Sequence, residues 1–273
     1  MSLAFPRSLV LVGAGKMGAA LLDGWLRSGM APGAISLIDP APSEHIVALS
    51  QDKGLLLNPP IERMSSPEIV VLAIKPQMID AVASTVRGLL HPKALLVSIL
   101  AGKTLADLAA RLPEATAIVR AMPNLPASVG RGATVAVFGG SVGASHHATA
   151  EALFACAGIV EWLDDEALID AATAVSGSGP AYVFHLVECL AAAGENAGLA
   201  QEVAQKLARA TVEGAGELLH RSEQSPGTLR RNVTSPGGTT AAALEVLMAK
   251  DGLGLLMRDA VAAAKRRAGE LSG

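Results

Sequence analysis

Aromatic side chains are scarce in this 273-residue sequence, at 3% against 51% hydrophobic residues overall. The core must therefore be aliphatic and alanine-rich, which favours close-packed helices and an Ala/Val/Leu/Ile sheet over an aromatic-rich β-sandwich. Charge is scarce too, at 17% of residues, and so apolar a chain buries enough surface to fold. Lys and Arg number 22 against 25 Asp and Glu, a formal charge of −3, which leaves no basic face for a nucleic acid. The short cluster Lys265-Arg266-Arg267 reads as a solvated helix end. There are only two cysteines, Cys156 and Cys189, so no disulfide framework exists, and their spacing is no metal motif; both read as buried structural thiols. His45, His91, His146, His147, His185 and His220 show no ligand spacing, and no metal is expected. Long apolar runs are missing as well. The uncharged stretches 132–150 and 171–187 are broken by Gly, Ser, His or Pro and do not read as membrane spans. The run Leu9 to Val12 meets glycines too soon for a signal peptide. A soluble cytoplasmic protein without membrane or nucleic-acid partners is expected.

What is present is an alternation. Ser8–Val12, Ala34–Ile38, Ile69–Ile74, Ala94–Ile99 and Ala117–Val119 are apolar or β-branched runs bounded by turn residues. Helical patterns lie between several of them, at Met17–Arg27, Gln77–Leu90 and Leu105–Leu112. Continuous apolar strands covered by helices predict a mostly parallel, doubly wound α/β sheet. Thr134–Phe138 and Ile159–Leu163 read as late strands around a helix over Ala144–Ala155. Beyond about residue 164 no strand pattern remains; Val203, Leu207, Ala210, Thr211 and Leu218 fall on one face of a helix over 200–220. Pro180 after Gly-Ser-Gly reads as a helix start, with Ser near the N-cap and Pro in the first turn. The expected organisation is an α/β domain over 1–163 followed by an all-helical domain over 164–273. The small residues of the second half (Ala191–Ala193, Gly214, Gly216) suit close helix approach and self-association.

Directly after the first strand, and opening a helix, stands Gly13-Ala14-Gly15-Lys16-Met17-Gly18. That is the placement of a G-x-G-x-x-G dinucleotide fingerprint. Gly13 serves the tight turn, Gly15 the approach of a pyrophosphate and Gly18 the packing of helix on strand, while the helix N-terminus offers N–H groups to phosphate. The first domain is thus read as a Rossmann-type unit. Asp39 ends the next strand, where a carboxylate can bind both ribose hydroxyls. It would repel a 2′-phosphate, so NADH is favoured over NADPH; the alternative is a turn-forming Asp before Pro40. Ile74, Lys75 and Pro76, and Ala101 with Gly102, follow strand ends where open α/β sheets bind ligands, though ordinary strand-to-helix turns would look the same.

Five segments together, GAGKMG (13–18), AIKP (73–76), RAMPNLPA (120–127), SGSGPAYVF (176–184) and SPGGTTAAAL (235–244), resemble the pyrroline-5-carboxylate reductase family over almost the whole chain. Position 16 is Lys where many members carry Asn, and Lys16 would reach a phosphate or point to solvent. The resemblance implies NADH- or NADPH-dependent reduction of 1-pyrroline-5-carboxylate to L-proline, and a helical C-terminal domain that interlocks two subunits, with dimers often gathered into rings.

The resemblance also implies a substrate site. Ser235, Gly237, Gly238, Thr239 and Thr240 would form a turn whose N–H groups bind the substrate carboxylate, with the Thr240 hydroxyl on the imine nitrogen as the catalytic contact. Read by themselves, these residues also fit an N-cap cluster starting the final helices. Gly179 and Pro180, and Met122, Pro123 and Asn124, match segments that face nicotinamide and imine, against the plainer readings of a helix start and a loop. Glu223 and Asn232 lie before the turn and could orient substrate, although solvated side chains would look alike. The competing enzymes are another two-domain NAD(P)-dependent imine dehydrogenase or a β-hydroxyacid dehydrogenase, the latter disfavoured because Ala181–Ala197 has no lysine. A non-catalytic NAD sensor would not need the 235–240 turn.

Overall fold

Four-residue strands of Leu, Val and Ile cannot leave either face in water, and the sheet they build is covered on both sides. A computed structural model of the chain describes residues 5–64 and 66–272. Strands β1 (Leu9–Val12), β4 (Ile69–Leu72) and β5 (Leu95–Ser98) are buried along their whole length. With β2 (Ile35–Ile38), β3 (Leu56–Leu57), β6 (Ala117–Met122), β7 (Gly132–Gly140) and β8 (Gly158–Trp162), they form one sheet in the order β3-β2-β1-β4-β5-β6-β7-β8. Every pairing is parallel except β6 with β7. The strand order reverses beside β1, the crevice where such sheets take their ligands.

The two-residue period of a strand divides the core into two layers. Leu9, Leu11, Val71, Leu95 and Val97 face one way, packed with Leu21, Leu22 and Trp25 of α1 (Lys16–Arg27) and Phe154 of α5 (Ala144–Ala155). Val10, Val12, Val70, Leu72 and Leu96 face the other, against Val86 of α3 (Ile79–Leu89) and Leu108 of α4 (Leu105–Arg111). The indole of Trp25, almost fully buried, donates to the Leu153 carbonyl at 2.7 Å and ties α1 to α5.

The sequence places most of these elements, and the departures have local causes. Helix α2 (Glu44–Lys53) has no amphipathic signal, since only Ile46 and Ser50 are buried; local devices define it, the Ser43 hydroxyl accepting from Ile46 N–H and Gly54 closing the end at φ +71°. Strand β6 runs on to Met122, beyond the expected end at Val119, because β7 pairs with it as far as Met122–Val135. The helix expected to start around Ser178 does so, opening at Gly179 with Ser178 in the N-cap position, but Ser178 makes no side-chain cap because its backbone is already helical. Helix α6 (Ile169–Ala172) passes into a π-helical turn at Thr173–Gly177 immediately before α7 (Gly179–Asn196), with Pro180 in the first turn of α7.

Helices α8 (Gln201–Arg221), α9 (Pro226–Asn232), α10 (Thr239–Leu247) and α11 (Leu253–Ser272) follow, with no strand after β8 among the described residues. The chain forms two compact units, one reaching Gly177 and including the segment from Ala264 onward, the other spanning Ser178–Ala263. In the second unit α7 and α8 pack through small residues, Ala191, Ala204 and Ala208 being buried, while large apolar side chains such as Phe184, Leu207, Leu218 and Val246 are exposed.

Within the first unit one buried ion pair joins three elements. Arg120 on β6 is only 5% exposed, and its Nη1 donates to Glu166 Oε1 at 2.6 Å. The same oxygen accepts the Leu105 N–H at the start of α4, at 2.8 Å. Removing one partner strands the other charge in a low-dielectric site. Glu166→Ala should lower unfolding stability by about 3 kcal/mol, the lower end for such pairs because Glu166 is partly solvated; urea titration against the parent chain measures this.

Candidate active site

The three fingerprint glycines have three separate steric reasons to be glycine. Gly13 has φ +93°, and a Cβ there would lie 2.8 Å from the Ala73 carbonyl and the Ile74 side chain. A Cβ on Gly18 would collide with the Gly13 carbonyl, so α1 could not close on the turn. Around Gly15 there is open space, which is the room a pyrophosphate needs. Gly15 is the N-cap of α1, and no side chain caps the helix, so its first-turn N–H groups are available to an anion. Lys16 is exposed and Met17 half-buried at this end.

The Asp39 carboxylate is bonded into the turn itself. Its Oδ2 accepts the Ala14 N–H at 2.7 Å, and its Oδ1 accepts the Ala41 N–H at 2.9 Å. The second bond is the turn-forming role expected as the alternative for this residue; the first fixes the fingerprint loop from the neighbouring strand. Asn58, absent from the sequence reading, pairs with the Asp39 main chain in both directions, Asp39 N–H to Oδ1 at 2.8 Å and Nδ2 to the Asp39 carbonyl at 2.7 Å. It adopts φ +49°, and the only signal for it was an Asn in a Pro-rich loop.

At the carboxyl ends of β4, β5 and β6, Lys75 and Ala101 are exposed, and Ile74 and Pro76 are half-buried. Gly102 has φ +70°, and a Cβ there would meet the Leu271 carbonyl oxygen at 2.5 Å. Its missing side chain thus admits the end of α11. Ala101, Gly102, Met122, Thr173 and Leu271 surround a small cavity of about 60 Å³. Pro123 and Asn124 are buried. The Asn124 amide is committed to main-chain groups of this unit, Oδ1 to Ala133 N–H at 2.8 Å and Nδ2 to the Ser176 carbonyl at 2.9 Å. It reads as a brace.

In the second unit Ser235-Pro236-Gly237-Gly238 folds as a tight turn. The Gly238 N–H donates to the Ser235 carbonyl at 3.0 Å, and Gly237 has φ +70°, the conformation a type II turn demands after Pro. Gly238 is the N-cap of α10, without a side-chain cap, so the N–H groups of Thr239 and Thr240 open the helix toward an anion. Thr240 is half-buried, and Ser235 and Thr239 are exposed. Asn232 ends α9 and donates from Nδ2 to Gln224 Oε1 at 3.0 Å, which ties the loop bearing exposed Glu223 to the segment leading into the turn. Gly179 and Pro180 form the first turn of α7.

Among the described residues no group of three or more His, Cys, Asp or Glu could hold a metal ion, and no helix is long and apolar enough to cross a membrane. The cysteines differ from each other. Cys189 is exposed on α7, contrary to the buried reading, because the residues around it on that helix are themselves exposed. Cys156 donates to the Leu153 carbonyl at 3.1 Å, and burial pushes its thiol up to about 12. A raised thiol value means that the neutral form persists through pH 8. Iodoacetamide at about that pH should leave Cys156 unmodified in the native protein and modify it after denaturation, as peptide mass spectrometry reads directly.

The comparisons with known proteins agree with this geometry. Residues 8–102 match the family model described as NADP oxidoreductase, coenzyme F420-dependent. Residues 166–271 match the model of the pyrroline-5-carboxylate reductase dimerisation domain. The pyrroline-5-carboxylate reductase of Pseudomonas aeruginosa is 39% identical over 264 residues, covering 97% of this chain and 96% of its own length. A solved pyrroline-5-carboxylate reductase from Coxiella burnetii superposes with a TM-score of 0.91 at 34% identity, over 98% of this chain and 99% of that one. That of Plasmodium falciparum, solved with NADP bound, gives 0.80 at 29% identity over 98% of both. With a fingerprint turn in the first unit, the glycine turn 235–238 in the second and this similarity along its whole length, the chain belongs to the pyrroline-5-carboxylate reductase family.

Proposed function

We propose that this chain reduces 1-pyrroline-5-carboxylate to L-proline with NADH or NADPH as hydride donor, in the cytoplasm. The observation that carries the reading is the uncapped glycine turn 235–238 opening α10, in a chain whose first unit also holds a fitting dinucleotide turn. The substrate is a small ring with one carboxylate and one C=N bond. Free N–H groups at Thr239 and Thr240 suit the carboxylate without an arginine. The Thr240 hydroxyl is assigned to the ring nitrogen, Gly179 and Pro180 to the ring's surroundings, and Glu223 and Asn232 to orienting the substrate.

On the nucleotide side, Gly13, Gly15, Lys16, Met17 and Gly18 would take the pyrophosphate, and Asp39 the adenosine ribose. Ile74, Lys75, Pro76, Ala101, Gly102, Met122 and Pro123 would line the path toward nicotinamide. When bound, the dinucleotide supplies the hydride for the imine carbon. The chain's own task is positioning: a protonated imine is already electrophilic, so holding it at the correct distance accounts for most of the acceleration. Asp39 favours NADH, since its carboxylate would repel a 2′-phosphate, although the Plasmodium falciparum protein has NADP bound.

A homodimer, alone or gathered into a ring, is the proposed assembly. It is supported by the match to a dimerisation model and by exposed apolar side chains in the second unit, Leu218 at 62% and Val246 at 72%, of the kind that marks association surfaces.

With 1-pyrroline-5-carboxylate, the purified protein should oxidise NADH and form proline, with kcat/KM higher for NADH than for NADPH. Equal or reversed efficiencies would remove the argument from Asp39 and leave the reductase. Thr240→Ala should lower turnover on the order of a hundredfold while NADH binding, read by fluorescence, stays unchanged; unaltered turnover would remove Thr240 from the imine.

A further inference from the structure

The motif segments 120–127 and 176–184 lie far apart in sequence, yet one side chain joins them. Asn124 is 7% exposed. Its two bonds run in different directions, accepting from Ala133 N–H beside it on the β7 side and donating to the Ser176 carbonyl in the π-helical turn. A π-helical turn is a local widening of a helix, found disproportionately at functional sites and held only where its surroundings specify it. Here the specification is visible. Ser176 Oγ donates back to the Ala172 carbonyl at 3.0 Å, Ala174 is fully buried, and a Cβ on Gly177 would touch Thr173 Cγ2 at 3.3 Å and Met122 Cε at 3.5 Å. The turn is therefore seated against the carboxyl end of β6. Its first residue, Thr173, shares the small cavity with Ala101, Gly102 and Met122.

That cavity lies on the β5–β6 side of the fingerprint turn, whereas Asp39 and the adenosine end lie on the β2 side. A dinucleotide spread over the strand ends places its nicotinamide toward the first of these. We infer that Asn124 is a positioning residue: by clamping the Ser176 carbonyl it locks the π-helical turn 173–177 against Met122 and so fixes the wall on which nicotinamide rests. This rests on the reductase reading given above. Asn124 touches neither substrate nor cofactor in this assignment; it acts through Met122 and Thr173.

The variant that separates this role from simple structural support is Asn124→Asp. One carboxyl oxygen can still accept from Ala133 N–H. The other meets the Ser176 carbonyl, which it repels when ionised and to which it donates when protonated. Burial beside a carbonyl raises the value of the introduced carboxyl, so the clamp is open at high pH and closed at low pH. At about pH 8.5, kcat relative to the parent should fall on the order of 10- to 100-fold, the range for a displacement of about 1 Å in a reacting pair. The NADH dissociation constant should change less than about threefold, because the phosphate and ribose contacts lie elsewhere. Near pH 6 the relative kcat should recover severalfold, and amide exchange in 173–177, faster than in the parent at pH 8.5, should return toward the parent's rate measured at the same lower pH.

Gly177→Ala provides a second variant that leaves both Asn124 bonds in place and presses on Met122 and Thr173; it should lower kcat at unchanged NADH affinity. The inference is overturned if Asn124→Asp keeps the parent's relative kcat at both pH values, or if kcat and NADH affinity fall together. Should Asn124→Asp not fold, a Gly177→Ala protein with parental kcat overturns it as well. A parent protein that binds NADH but does not reduce the imine would overturn the reductase reading itself, and the exchange pattern of Asn124→Asp would still show whether the clamp holds the turn.

Discussion

The hydrogen bond from the Ala14 amide to the Asp39 carboxylate, 2.7 Å long, is the constraint from which the nucleotide site follows. It joins the loop after β1 to the end of β2, beside the reversal of strand order. With Gly13 held against Ala73 and Ile74 on the other side, the loop is clamped from both neighbouring strands. A loop so fixed presents the free first-turn N–H groups of α1 in one orientation, which is what lets a helix N-terminus serve phosphate without further rearrangement. Asp39 thus shapes the loop, and in the proposed function its carboxylate would also set the charge next to the ribose.

The remainder of the first unit keeps the strand ends in register for that loop. Each strand in the middle of the sheet contributes alternate side chains to two separate apolar layers, so sliding any one by a residue would exchange both layers at once. Arg120 interrupts the apolar face of β6 and is tolerated because Glu166 neutralises it while also bonding the first N–H of α4. Two residues further along the same strand is Met122, and then the Asn124 clamp. Thus β6 and the two residues after it carry, within five residues, one side of a buried ion pair, a cavity wall and a buried amide that bonds β7 and the π-helical turn.

Much of this was legible in the sequence, and the gaps have physical causes. The glycine fingerprint was readable because each glycine answers a steric demand, and α5 was readable with its observed bounds. Helix α2 escaped because its stabilisation is local capping rather than an apolar stripe. The helix start at Gly179 and Pro180 was legible, but the π-helical turn before it was not: Gly-Ser-Gly-Pro looks the same after a loop and after such a turn, and this turn is bonded by Asn124, 52 residues earlier. Asp39 was placed correctly at the end of β2, but its bond to Ala14 depends on the strands being side by side. Cys189 was misread as buried because helix periodicity does not say which face of α7 is covered.

The claim central to this account is that the chain moves a hydride from a nicotinamide to the imine carbon of 1-pyrroline-5-carboxylate. The most direct measurement uses NADH deuterated at both C4 positions and examines the proline formed by mass spectrometry and NMR. One deuterium at C5 of proline, on a single face, is the predicted result. Proline without deuterium, or oxidation of NADH with no labelled proline, would contradict the account.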